Sequence, residues 1–182
     1  MEAASAEARA LAKEPRREWF GVRPTPHTWS AADCIRHLTS ANERYNKKFD
    51  ELISSAPPAK DGRSLYRHSL MGRVLLWAME PPIRKKFRSP RSFLPQEDER
   101  TPEELLSAFE ESQRVFVALI PRCEGLDFSK VRPRYPASKF IKMNFWDALT
   151  LIAAHERRHL WQARRAIESA AALRRSSAAS IE

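Results

Sequence analysis

The sequence predicts an all-α chain of about five helices, four of them long enough to bundle. Three observations carry that expectation. Apolar residues recur at steps of three and four over several long stretches, and no run alternates apolar with polar residues as a half-buried strand would. Only 4 glycines occur, while the 13 prolines gather between the periodic stretches, so the breaks fall between helices. A length of 182 residues suffices for one domain whose core needs no crosslinks.

Residues 2–19, rich in Ala, Glu and Arg, read as a first helix. Residues 21–28 contain Pro24 and Pro26, and prolines together with the residues before them resist the α region, so the chain breaks there. Ser30 is a good N-cap with Asp33 three residues on, which starts a second helix. Its apolar positions Ala31, Cys34, Leu38, Ala41, Tyr45, Phe49 and Leu52 step by three and four, and it stops before Pro57-Pro58. After an Asp61-Gly62 turn, a third helix is expected over 65–79, with Tyr66, Leu70, Val74 and Trp77 at helical spacing and Pro81-Pro82 at its end. Residues 84–100, basic then acidic and broken by prolines, read as a long irregular connector. Thr101-Pro102-Glu103-Glu104 combines a cap, a first-turn proline and a box acid, so a fourth helix starts there. Leu105, Phe109, Phe116, Leu119 and Ile120 form its inward face, and Pro121 closes it. Residues 122–143 cross to the last helix. The low-complexity tail 171–182 is expected to fray, which leaves 1–170 as a single helical bundle domain.

The stretch 144–167 gathers the chemistry. Asn144 is its N-cap, Asp147 takes the box position, and no Gly or Pro interrupts it. His155 and His159 flank an apolar stripe of Ala148, Leu149, Ile152, Ala163 and Ile167. Four residues is close to one turn, so both rings leave one face with Cβ atoms roughly 5–6 Å apart, and two such imidazoles can share a metal ion. Pairs at this spacing also occur on ordinary helix surfaces, so a third ligand decides. His37 is the candidate, beside the apolar stripe of the second helix and less than two turns into it. His27 lies in a Pro-rich loop, and His68 opens the third helix without a partner at ligand spacing. Facing helices of a bundle build sites from inward side chains. One His from the second helix and two from the last leave a fourth position open to water, the layout of a catalytic rather than a structural site. Three imidazoles suit zinc, nickel, copper or iron, so ligand type does not choose the metal.

Gln162, three residues beyond His159 on the same face, is either a hydrogen-bonding partner that orients a ligand or an ordinary interhelical Gln. Trp29 reads as packing and Cys34 as a small buried thiol. Arg157, Arg158, Arg164 and Arg165 read largely as a solvated face, and an exposed-looking Trp161 hints at a partner surface. Arg73 or the basic run 84–91 would hold an anionic substrate at the mouth of the site.

Arg23-Pro24, Trp29-Ser30 and His37-Leu38, followed far downstream by His155-Glu156-Arg157-Arg158-His159-Leu160-Trp161-Gln162, resemble the DinB/YfiT-like superfamily of metalloenzymes. The resemblance spans nearly the whole chain and rests on the ordered combination, since each motif alone is short. It implies a four-helix bundle holding a divalent metal, commonly nickel or zinc, on three histidines. By position these are His37, His155 and His159. It also implies frequent homodimers, and reactions like those of characterised relatives, which are thiol-dependent S-transferases and isomerases using mycothiol, bacillithiol or glutathione. The expectation is therefore a metal-dependent enzyme on a small molecule, an S-transferase or a hydrolase, with a low-molecular-weight thiol as cosubstrate. The alternative is a bundle that keeps its metal for stability or sensing and catalyses nothing.

The segment His155–His159 also fits the HExxH pattern of zincin proteases, where the Glu is general base. Such enzymes need a further ligand downstream, yet no His follows position 159, Glu168 is too close on the same helix, and Glu182 falls in the tail. The formal net charge of +9 would suit an anionic partner. The excess is spread along the chain, without zinc-finger, helix-turn-helix or aromatic–basic RNA motifs, so nucleic acid is not expected. Cys34 and Cys123, the two cysteines, make no metal-type spacing or disulfide framework, which points to the cytoplasm. No apolar run approaches the ~20 residues of a membrane span.

Overall fold

The structure is a computed structural model that describes residues 1–13, 15–60, 66–84, 89–96, 98–133 and 143–179. Its regular elements are α1 (Glu2–Leu11), α2 (Ala31–Ser54), α3 (Leu70–Met79), α4 (Pro102–Leu119) and α5 (Phe145–Ala179), with three short 3₁₀ turns. The architecture is all-α, as the periodicity predicts. The Asp61-Gly62 turn, the first residue of the expected third helix, and parts of the connector (85–88) and of the crossing to the last helix (134–142) lie outside the described residues.

Three helix starts follow the capping chemistry in the sequence. Ser30 and Asp33 exchange side chain to backbone hydrogen bonds, both at 3.0 Å. Thr101 and Glu104 do the same at the start of α4, as do Asn144 and Asp147 at the start of α5. Arg23 adds two hydrogen bonds to the Asp33 carboxylate, which ties the Pro-rich loop to the first turn of α2.

Four expectations need correction. The first helix ends at Leu11 and not near residue 19. Pro15 has no N–H to donate, and its ring would collide with the carbonyl of residue 11. The third helix starts at Leu70, because Ser69 caps it by accepting from the Gly72 N–H at 2.9 Å. The stripe Leu70, Val74 and Trp77 is exposed, and so is Tyr66, whereas Gly72, Leu75, Ala78 and Met79 are buried. At the end of α4, Ile120 likewise points outward. α5 itself runs from Phe145 to Ala179. Ala, Leu and Arg there are strong helix formers, and no Gly or Pro stops them.

α2 packs against both α4 and α5, α3 lies against α5, and α1 rests on α4 and α5. Apolar burial falls into two clusters. One joins α1 to the first half of α2 and of α4 and to the later part of α5, through Leu11, Phe20, Ile35, Leu38, Phe109 and Leu160. The other joins the second halves of α2 and α4 to α3 and the start of α5, through Phe49, Phe116, Phe128, Phe145, Leu151 and Ile152. Each such side chain contributes roughly 1.5–3 kcal/mol when fully buried. Phe128 reaches its place because the chain after α4 turns at Gly125, with φ of 72°, and bonds back to Pro57 and Ala59 beyond α2. Between the clusters lies a polar waist, made of buried Asn42, Asn46, Ser112, Gln113, Glu156 and the histidines of α2 and α5.

Candidate metal centre

His37 leaves the second turn of α2, and His155 and His159 leave consecutive turns of α5, so the direct packing of these helices brings the three rings together. Their centroids are 4.4–5.1 Å apart. One ring nitrogen from each lies within 4.8 Å of the others. His37 Nε2 and His155 Nε2 are 3.2 Å apart. Two nitrogens at 2.0–2.1 Å from a tetrahedral zinc would be about 3.3 Å apart, so the spacing suits one shared ion.

Protonation follows from the neighbours. His37 Nδ1 faces the Phe93 carbonyl at 2.6 Å, and a carbonyl can only accept, so the proton sits on Nδ1. That leaves the Nε2 lone pair of a neutral His37 directed at the other rings. Burial lowers the His37 pKa, and the Phe93 contact partly offsets this. Burial, then the nearby His37 and Arg158, pushes His155 down to about 3. His159 is held well below the ordinary value by burial and by the charges of His155, His37 and Arg158. All three are therefore neutral near pH 7, which is the form that binds a metal. The buried Nδ1 atoms of His155 and His159 have no hydrogen-bond partner among the described residues. The donor set and its protonation thus fit a divalent transition metal.

A family model described as the DinB superfamily matches residues 1–163. The chain belongs to the DinB superfamily. No curated protein matches it, and no solved structure does. The match takes in all three histidines and stops inside α5.

In this DinB-superfamily bundle the triad opens onto a cleft of about 1440 Å³ between α2 and α5. Trp29 forms one wall, stacked on His159 with centroids 5.7 Å apart and lying 4.9 Å from His37. Gln162 lines the cleft one turn beyond His159 and raises its pKa slightly against the effect of burial, while its buried Oε1 has no partner among the described residues. Pro90, Phe93 and Leu94 of the connector close the cleft above α2.

Several neighbours differ from their sequence reading. Arg158 is only 4% exposed and lines the cleft, its Nη1 donating to the Ala78 carbonyl at 3.4 Å. It does not belong to a solvated face. Arg157, Arg164 and Arg165 do, paired with Glu80, Glu7 and Glu168. Trp161 is half-buried and lines the cleft instead of standing out as a partner surface. Arg73 is exposed away from the cleft, and Arg84 lies over the Trp77 ring. Cys34 is buried as expected, and burial pushes its thiol far up, so it stays protonated.

Two further groups make bonds that the sequence reading did not foresee. Glu156, 1% exposed, accepts from Asn42 Nδ2 and Gln113 Nε2, each at 2.8 Å. Burial raises its pKa. His68 stays apart from the triad. Its Nδ1 donates to Asp147 at 3.0 Å, Tyr66 faces its Nε2 at 2.6 Å, and Ser69 donates to the same carboxylate at 2.6 Å. Asp147 thereby joins the starts of α3 and α5. These contacts span 78 and 79 residues, and nothing local in the sequence signals them.

Proposed function

We propose that the chain is a metal-dependent enzyme of the DinB type acting on a small molecule, with zinc or nickel on His37, His155 and His159. The observation that carries this reading is the meeting of three neutral imidazoles from two helices in the wall of a cleft. Bound there, a divalent metal supplies Lewis acidity and activates a water or a thiol for attack. The chain's own residues do the rest. The Phe93 carbonyl fixes the tautomer and tilt of His37. Trp29 and Gln162 confine His159.

Within this reading the reaction is S-transfer with a low-molecular-weight thiol, or hydrolysis, in a cytoplasmic homodimer. A zincin-type protease has little support, because Glu156, the residue that would act as general base, is bound between Asn42 and Gln113 and does not line the cleft. A site that only stabilises the fold would more often be closed by a fourth protein ligand, whereas these histidines line a cleft.

Elemental mass spectrometry on untagged protein tests the proposal. Wild type should carry about one equivalent of transition metal per chain, and His37→Ala should lose it. A wild type that takes up neither zinc nor nickel after incubation would end the metal reading. If metal-loaded protein joins none of mycothiol, bacillithiol or glutathione to a panel of electrophiles, S-transfer fails and hydrolysis stands.

A further inference from the structure

Arg158 is a permanently charged side chain set into the wall of a largely apolar cleft, beside the histidines. Lys48, Arg132 and Arg165 also line the cleft, and no Asp or Glu occurs among its described lining residues. Lys48 and Arg165 are tied to exposed Glu51 and Glu168, so they act at the mouth as a diffuse positive field. Arg158 lies deeper. On α5 it stands three residues after His155 and four before Gln162, which puts it on the helix face that carries the triad's His155 and lines the same cleft.

Along α5 the lining residues run from Ala148 to Leu173, roughly 40 Å of helix at 1.5 Å per residue. On the side of the triad nearer the start of α5, Phe49, Leu52, Met79, Met143, Leu151 and Ile152 make most of the wall apolar, with Tyr45 and Lys48 of α2 among them. A cation at the reacting centre therefore faces an extended apolar trough. A planar guanidinium matches the paired oxygens of a carboxylate or phosphate, and the trough matches a chain or ring system without charge.

We infer that the ligand of this cleft is a small organic oxyanion on an extended apolar body, its charged group held at Arg158 and its apolar part laid along the trough. The inference rests on the cleft being the reactive site proposed above, but binding through Arg158 does not require the metal.

Octanoate, octyl phosphate and octanol serve as probes, titrated calorimetrically into wild type in metal-loaded and metal-free form, with metal content measured on the same samples. At least one oxyanion should bind about tenfold or more tightly than octanol in both forms. The tighter of the two identifies carboxylate or phosphate as the natural head group. Arg158→Met should bring that oxyanion to the level of octanol and leave octanol unchanged, with circular dichroism checking the fold. If that variant does not fold, the oxyanion-to-octanol ratio in metal-free wild type decides alone. Equal binding of all three probes, no binding, a preference seen only with metal, or one that survives in folded Arg158→Met would each overturn the inference. An oxyanion preference in a protein that takes up no metal would keep the inference and remove the metal reading. Metal uptake without the preference would do the reverse.

Discussion

Burial holds all three histidines uncharged, with neighbouring groups adding to it at His155 and His159, and this makes stability depend on pH. In the unfolded chain each titrates near 6.5; in the fold all three lie lower, His155 at about 3. Between those values the unfolded state binds more protons than the native state, so stability rises with pH. For His155 the loss runs from about pH 6.5 down to about 3, at up to about 1.4 kcal/mol per pH unit, and His37 and His159 add to it as pH falls below about 6.5. Urea denaturation of metal-free protein between pH 4 and 7 should show that slope, and His155→Gln should flatten it. An unchanged slope in the variant would mean that other groups carry the dependence. The three histidines were legible in the sequence because helical spacing alone puts 155 and 159 on one face and 37 beside an apolar stripe. Arg158 was not, since Arg157 and Arg158 look alike as letters. One residue turns the helix by about 100°, which sends the first out to Glu80 and the second into the cleft. Its place three residues after His155 and four before Gln162 is the signal that could have found it.

At the scale of elements, α3 was readable as a helix but not in its orientation. Leu-Met-Gly-Arg-Val-Leu-Leu-Trp-Ala-Met is apolar nearly all round, so periodicity cannot say which side is buried. The answer lies in Gly72. A Cβ at that position would overlap the Asp147 carboxylate, so only glycine allows α3 to sit this close to the start of α5. Gly72→Ala should therefore destabilise the protein, even though alanine gains about 1 kcal/mol in helix propensity. Thermal or urea unfolding reads the sign directly, and a stabilised variant would show that α3 can shift without cost. The caps of α2, α4 and α5 were legible because each is a local pair three residues apart. The Ser69–Asp147 link was not, because its partners meet only after the whole chain has folded.

For the whole molecule, the packing of α3 against α5 leaves an apolar stripe without cover. Leu70 is 77% exposed and Trp77 57%, with Met71 and Val74 beside them. If the chain is a homodimer, this stripe is the surface to test. Light scattering should then give a dimer mass for wild type and a monomer mass for Val74→Asp, whereas a monomeric wild type would refute the pairing. The all-α architecture was visible from the sequence, since proline placement and periodicity are properties of single segments. The polar waist was not, because its members come from several helices and share no pattern along the chain.

The bond that holds His37 ends on the backbone of residue 93, not on its side chain. Any amino acid at that position presents the same carbonyl oxygen. The Phe93 ring has a separate place, against Tyr45, under the Arg44 guanidinium and in the wall of the cleft. An exchange of Phe93 for alanine would therefore keep the acceptor of His37 and remove only the ring from the cleft wall. For anyone redesigning this protein, the backbone of residue 93 serves the histidines and its side chain serves the cleft.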